Sequence, residues 1–393
     1  MPDRSFLAWP FFDADHRAFA ADVEHWVADA LPRLSIDADA DLDVTYQHVR
    51  KLVRALGDAG LLRACVPAGC SGLRADVDVR TLCLARETLA RASGLADFAF
   101  AMQGLGSVPV SLFGNDGQKQ AVLPAVAAGA RIAAFALSEP DAGSDVAAID
   151  TRAVRDGSGW RLDGVKTWIS NGGLADFYVV FARTSDREAK PSSGLSAFIV
   201  DADAAGVDAS ERIPVSAPHP LGTLRLTACR VNGERLIGAP GDGFRIAMRT
   251  LDLFRSTVGA AAVGFARRAA DEAIARAKAR RMFGRALAEL DLTRAKLGEM
   301  ALAIDASALL VYRAAWTRDM LGSRVTREAS MAKLFATESA QQVVDAAVQI
   351  FGGLGVVRGV TVERLYREVR ALRIYEGASE VLKLIIGGKA LEA

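Results

Sequence analysis

The chain is predicted to be an α+β protein in which an all-helical segment, a β segment and a helical bundle follow one another. Three observations predict this. Apolar residues recur at helical spacing up to about Gly129, short β-prone runs joined by turn dipeptides replace that period near Arg131, and long helical periods return from Gly243. The expected boundaries are 1–130 for an N-terminal all-α domain, 131–236 for a middle antiparallel β domain and 237–393 for a C-terminal four-helix-bundle domain.

In the first segment Phe19, Val23, Trp26, Val27, Ala30 and Leu31 fall on one stripe of an amphipathic helix. Pro32, Gly57, Gly60, the Pro67 to Gly72 cluster, Gly94 and the Gly104 to Pro109 stretch act as breakers and divide the segment into about five helices. β-Prone runs follow at 131–137, 151–155, 160–162, 166–170, 177–182, 195–200 and 224–231. Asp156-Gly157, Asp163-Gly164, Asn171-Gly172 and Asn232-Gly233 between them offer the positive φ angles of tight hairpin turns. No strand–helix alternation points to a parallel sheet. The last segment reads as helices over about 244–280, 287–321 and 324–351, with a final one from about Ser379. Within it Val258, Ala261, Ala262, Phe265, Ala269, Ala273 and Ala277 make a small-residue stripe suited to a bundle core.

Composition excludes several classes of function. With 51% hydrophobic and 24% charged residues in 393, the chain is too apolar for intrinsic disorder. Lys plus Arg number 48 against 47 Asp plus Glu, so no global charge draws it to nucleic acid or an anionic membrane. The start, with Asp3 and Arg4, lacks the apolar core of a secretory leader, and the longest apolar run, read at about Val258 to Ala266, is far short of the ~20 residues of a membrane span. A soluble, intracellular protein is expected. Cys65, Cys70, Cys83 and Cys229 form no C-x-x-C pair, and His16, His25, His48 and His219 are scattered, so no metal site is expected.

Several chemistries lack an anchor. Gly353-Leu-Gly355-Val-Val-Arg358 misses the third glycine of a dinucleotide fingerprint and ends a helix, and no G-x-S-x-G, Walker A or H-E-x-x-H pattern occurs. Four dense clusters remain. Leu137-Ser-Glu-Pro-Asp-Ala-Gly-Ser-Asp145 offers hydroxyls and backbone N–H groups for an anion or a polar ring edge, or is a plain surface loop. Lys166-Thr-Trp168-Ile-Ser170-Asn171-Gly172 sets an aromatic in a strand, fit for a cofactor face or a half-buried core. Gln349-Ile-Phe-Gly-Gly353-Leu-Gly355 permits close backbone approach at a helix end, or is a glycine cap. In Arg373-Ile-Tyr-Glu376-Gly-Ala-Ser379-Glu380, Ser379 is a candidate N-cap with Glu380 on the helix dipole. Glu376, flanked by apolar sequence, is either a solvated charge or a desolvated general base.

Taken in order, these clusters resemble the acyl-CoA dehydrogenase family over essentially the whole chain. Ser138 to Asp145 is similar to its first signature, Gly164 to Gly172 to its strand beside the flavin, Arg280-Arg-Met-Phe283-Gly284 to its R-x-x-F-G helix end, and Gln349 to Gly355 with Tyr375-Glu376-Gly377 to its second signature and catalytic loop. The resemblance implies FAD held without a Rossmann motif. Phe135, Ala136, Leu137 and Ser138 then meet the polar edge of the flavin, and Trp168, Ile169 and Ser170 lie beside the ring. Arg280, Gln349, Ile350, Phe351, Gly352 and Gly353 match positions that reach FAD of a neighbouring subunit, Asp291 matches an FAD-contact position, and Ala378, Ser379 and Glu380 match positions on the subunit's own FAD.

The implied reaction is removal of an α-proton by Glu376 as a hydride leaves the β-carbon of an acyl-CoA, giving the trans-2-enoyl-CoA. Ser144, counted with both cofactor and substrate, and Asp252, Leu253, Phe254 and Arg255 match positions along the CoA thioester arm, and Tyr375 and Gly377 flank the base. A homotetramer arranged as a dimer of dimers, electron transfer to an electron-transfer flavoprotein, and a cytoplasmic place (the mitochondrial matrix in a eukaryote) complete the expectation. Phe254 stands where some branches put their base, which leaves Glu376 and favours a straight- or short-chain site. Asp291 and Ala378 replace a common Gln and Thr, which predicts weaker FAD binding, and the Ala217 to Arg225, Gly359 and Thr361 departures mark a divergent subfamily. An acyl group on a carrier protein, and a flavin-binding member without turnover, are the competing readings.

Overall fold

The computed structural model describes residues 3–37, 39–185 and 191–392. The chain gathers into two compact units, Met1–Arg33 with Val79–Asp97 and Asp252–Ala393, and Leu34–Asp78 with Phe98–Leu251. Helices precede and follow a central sheet, the order the apolar periods predict.

The first unit is helical apart from a short antiparallel ribbon of Arg281–Met282 with Arg285–Ala286: α1 (Ala14–Arg33), α3 (Val79–Ala92), most of α6 (Gly243–Ala279), α7 (Asp291–Leu321), α8 (Thr326–Phe351), α9 (Thr361–Leu372) and α10 (Ser379–Leu391). The α6 stripe of Val258, Ala261, Ala262, Phe265, Ala269, Ala273 and Ala277 is buried along its length, so small residues let the neighbouring helices approach. Gly264 marks the closest approach, for a Cβ there would stand 2.2 Å from the Glu87 carbonyl oxygen of α3. α9 was not foreseen. Its sequence is charged on most faces, and only Val362, Leu365, Val369 and Leu372 form a buried stripe.

The second unit holds α2 (Leu42–Asp58), most of α4 (Gly94–Phe113), α5 (Asp116–Ala127) and an eight-stranded sheet. Its strands are β1 (Ala133–Ala136), β2 (Arg152–Asp156), β3 (Gly159–Ser170), β4 (Phe177–Arg183), β5 (Leu195–Asp201), β6 (Val207–Asp208), β7 (Leu221–Val231) and β8 (Leu236–Ile237), in the order β6-β7-β3-β2-β4-β5-β8. Most pairings are antiparallel, but β1 and β2 both pair with β4 in parallel. β4 is buried at every position, as its unbroken apolar run requires of a central strand.

Three local expectations are corrected. Gly104 to Pro109 does not break a helix: α4 runs through it, because Gly106 lets the helix lie against β1, where a Cβ would come 2.7 Å from that of Ala133. This helix, not the stretch near Val258, is the one among the described residues long and apolar enough to cross a membrane, and 94% of that window is buried inside the protein. Asp163-Gly164 is no turn either; β3 continues through it with a register shift, since Gly164 leaves room for Thr151. Finally, Asn232 has a φ of −61° and opens a 3-10 turn, so of the proposed hairpin turns only Asp156-Gly157 joins two paired strands.

Candidate active site

In the first unit the catalytic-loop candidates lie between α9 and α10. Glu376 has a φ of +54° and Gly377 one of +107°. A side chain in the left-handed region is strained by ~1–2 kcal/mol, so neighbours must hold it there. Arg255 Nε, from α6, donates to the Glu376 carbonyl at 3.3 Å, and Lys333 Nζ, from α8, donates to the Gly377 carbonyl at 2.7 Å. Ser379 is the first residue of α10 and not its N-cap; its hydroxyl donates instead to Glu338 at 2.5 Å, and its N–H to the Arg373 carbonyl. Arg373 closes the ring with an ion pair to Glu338 at 2.8 Å. Ala378 caps α10 without a side-chain hydrogen bond, and Glu380 is exposed in its first turn.

The Glu376 carboxylate has one oxygen, Oε2, sealed from solvent with no hydrogen-bond partner among the described residues. Burial pushes this carboxyl above the usual range, while Arg86, Lys333 and Arg255 pull it back. Arg86 is itself buried and forks onto Asp97, with Nε and Nη2 each 2.8 Å from a carboxylate oxygen and Nη1 3.0 Å from the Thr257 hydroxyl. Arg255 is paired with Asp252 at 2.9 Å, and Asp252 also accepts from Thr326 at 2.5 Å. Leu253 and Phe254 on the same turn are sealed in the core, whereas Tyr375 is 41% exposed.

A second group in this unit gathers where α6 and α8 end. Arg276 stacks over Phe351 at 5.7 Å, bringing these ends side by side, and around them Arg280, Gln349, Gly352 and Gly353 are exposed and Ile350 partly so. Gly352 has a φ of +63° and open space where a Cβ would stand, as has Gly353. Asp291, exposed, begins α7.

The second unit carries the strand candidates. β1 ends at Ala136, and the Ser138 carbonyl accepts the Thr167 N–H of β3 at 3.0 Å, which places the Phe135 to Ser138 exit beside Trp168, Ile169 and Ser170. Trp168 lies at a register break, has a φ of +58° and is 59% exposed; Ile169 is buried. Below them Lys166 Nζ donates to Glu139 at 2.8 Å and to the Leu137 carbonyl at 3.1 Å, and Glu139 also accepts the backbone N–H groups of Asp150 and Thr151. Ser144 stands exposed on the loop so shaped. Burial holds Lys166 down to about 8 against the pull of Glu139.

Lys333, Arg86, Asp97 and Lys166 were not among the predicted site residues. The signal at Lys333 and Asp97 was a single charge inside an apolar helical run, as in Ala329-Ser-Met-Ala-Lys333-Leu, a pattern that burial makes costly unless the charge has a partner; Arg86, next to Glu87, carried no such mark.

Residues 13–130, 134–229 and 241–391 match the descriptions acyl-CoA dehydrogenase N-terminal, middle and C-terminal domain. The chain is 38% identical over 359 residues to the mitochondrial short-chain specific acyl-CoA dehydrogenase of Rattus norvegicus, covering 90% of this chain and 85% of the relative. Butyryl-CoA dehydrogenase from Megasphaera elsdenii superposes with a TM-score of 0.88 at 30% identity, covering 97% and 99% of the two chains. A structure described as the FAD complex of PigA superposes with a TM-score of 0.88 at 25% identity, again over 97% and 99%.

Proposed function

This chain belongs to the acyl-CoA dehydrogenase family, and from that premise we propose that it desaturates a short, straight acyl-CoA to the trans-2-enoyl-CoA. It is an oxidoreductase. The observation that carries the reading is Glu376, a carboxylate with one oxygen sealed from water and unpartnered among the described residues. Desolvation raises its carboxyl and so strengthens it as a base, while the cations around it oppose that shift. Glu376 takes the α-proton, and its own backbone N–H serves as donor to the thioester carbonyl as charge builds there. The names of the rat relative and of the Megasphaera enzyme support a short acyl chain.

FAD is the cofactor, and the residues present fit it. Trp168 offers an exposed indole for an aromatic face next to the hydroxyls of Ser138 and Ser170, and Gly352 and Gly353 leave an open cradle. When bound, FAD supplies the acceptor for the hydride that leaves the β-carbon. In the second unit Phe135 to Ser138 and Trp168 to Ser170 would hold the flavin ring and Ser144 would meet the CoA arm; in the first, Ala378 to Glu380 would contact FAD. Arg280 and Gln349 to Gly353 would reach that of a neighbouring copy, Asp291 would contact FAD, and Asp252 and Arg255 would meet the CoA arm. A homotetramer is proposed accordingly, supported by Leu292, Leu302 and Leu384, which stand 86%, 73% and 77% exposed in the first unit. An electron-transfer flavoprotein as acceptor and a cytoplasmic place are part of the same proposal.

The test is an anaerobic titration of the FAD-loaded protein with saturated acyl-CoAs, watching the oxidised flavin absorbance. Bleaching by the short esters, slowed at least ~100-fold in Glu376→Gln, is expected. Bleaching only by carrier-protein thioesters would move the substrate, and normal bleaching in Glu376→Gln would refute the role of this base.

A further inference from the structure

Lys333 occupies a place where a charge is expensive. It is 0% exposed on α8, and its helical neighbours Ala329, Ala332 and Ala336 are sealed in the bundle with it. Among the described residues no carboxylate takes its proton-bearing end; Nζ donates to a backbone oxygen, that of Gly377, at 2.7 Å. One residue earlier, the carbonyl of Glu376 accepts from Arg255, which is 4% exposed. Two successive carbonyls of one short loop are thus gripped by buried cations from two different helices. The residues gripped are those with φ of +54° and +107°. A glutamate relaxes out of the left-handed region when nothing holds it, and charge-assisted bonds to the adjoining carbonyls oppose that relaxation.

We propose that Lys333 is a positioning residue for the reaction: by fixing the Gly377 carbonyl, jointly with Arg255 at Glu376, it locks the left-handed backbone that aims the Glu376 carboxylate. The inference rests on the reading of Glu376 as the base. Lys333 does not touch the acyl group; it acts through the loop. Around it stand Glu376, Glu338, Arg255 and Arg373, and burial draws it down to about 8 while Glu376 holds it up. The same charge helps keep Glu376 ionised, so removing it raises the Glu376 carboxyl.

A lysine that only filled space would change stability and leave the base alone. The test therefore uses full-length, FAD-loaded Lys333→Met and Lys333→Arg in anaerobic stopped flow, with the acyl-CoA that best bleaches the wild type. The expected result is a fall of about 100-fold in the saturated rate of bleaching in Lys333→Met, with the half-saturating concentration within about threefold, and at least about tenfold recovery in Lys333→Arg. A second readout needs no turnover. In FAD-loaded protein without substrate the infrared carboxyl band lost in Glu376→Gln titrates at higher pH in Lys333→Met, and amide exchange over residues 373–379 quickens. A wild type that bleaches, with Lys333→Met within about threefold of it and an unmoved carboxyl band, overturns the proposal. A wild type that no acyl thioester bleaches overturns the reading of the base instead, and the band and the exchange then decide on Lys333 alone. Should Lys333→Met fail to fold, Lys333→Gln, a neutral donor, is held to the same outcomes.

Discussion

Lys166→Met removes the cation on which the loop after β1 is built. Lys166 is 0% exposed and Glu139 8%, so the variant leaves a carboxylate in the interior without its counter-ion, a change that costs ~3–5 kcal/mol where such pairs have been broken. Two backbone N–H groups, of Asp150 and Thr151, still donate to Glu139, while the Leu137 carbonyl also loses a donor. The retained donors argue for the lower end, ~3 kcal/mol at pH 7. The assay is denaturant unfolding followed through tryptophan fluorescence, with Trp160 and Trp168 both on β3 as reporters of this sheet. Glu139→Gln added to Lys166→Met relieves the stranded charge, so the double variant is expected ~1–2 kcal/mol more stable than the sum of the single losses allows. pH adds a check. Lys166 is held at about 8 in the folded chain, below the ~10.4 of an unfolded lysine, so the unfolded chain binds more protons in between and the contribution of this group to stability rises with pH across that window. Lys166→Met loses that slope. A Lys166→Met protein within ~0.5 kcal/mol of the wild type, or strictly additive losses in the double variant, would refute the argument that this pair organises the loop.

Asp97→Asn leaves Arg86 buried without its counter-charge and is expected to lose ~3–5 kcal/mol of stability. Because Asp97 raises the Glu376 carboxyl and Arg86 lowers it, the same variant moves the acid limb of the bleaching rate to lower pH; an unmoved limb in a folded variant would contradict the placement of that pair. Gly264→Ala sets a methyl 2.2 Å from the Glu87 carbonyl oxygen, and forcing α3 and α6 apart is expected to cost ~2 kcal/mol or more, read as a drop in Tm. An unchanged Tm would mean the helices have room that their contact denies.

The sequence by itself determined the class of the fold and singled out Glu376 as the candidate base. Helical and strand periods depend only on local alternation, so the order of helix, sheet and helix was legible, as was the start of α10 at Ser379. Glu376 was legible because the motif around it is contiguous. Breakers were read too literally: Gly106 and Pro109 end a helix in water, but against β1 the glycine is what permits the contact, and packing outweighs the lost hydrogen bond. Only the tertiary structure could decide what surrounds the base. Arg86, Arg255 and Lys333 come from three helices far apart in the chain, and their charges act on Glu376 because folding removes the water that would otherwise screen them. The left-handed backbone at Glu376 is of the same kind: a strained angle carries no mark in the residue type, and it exists because distant buried donors hold the carbonyls on either side of the Glu376–Gly377 step.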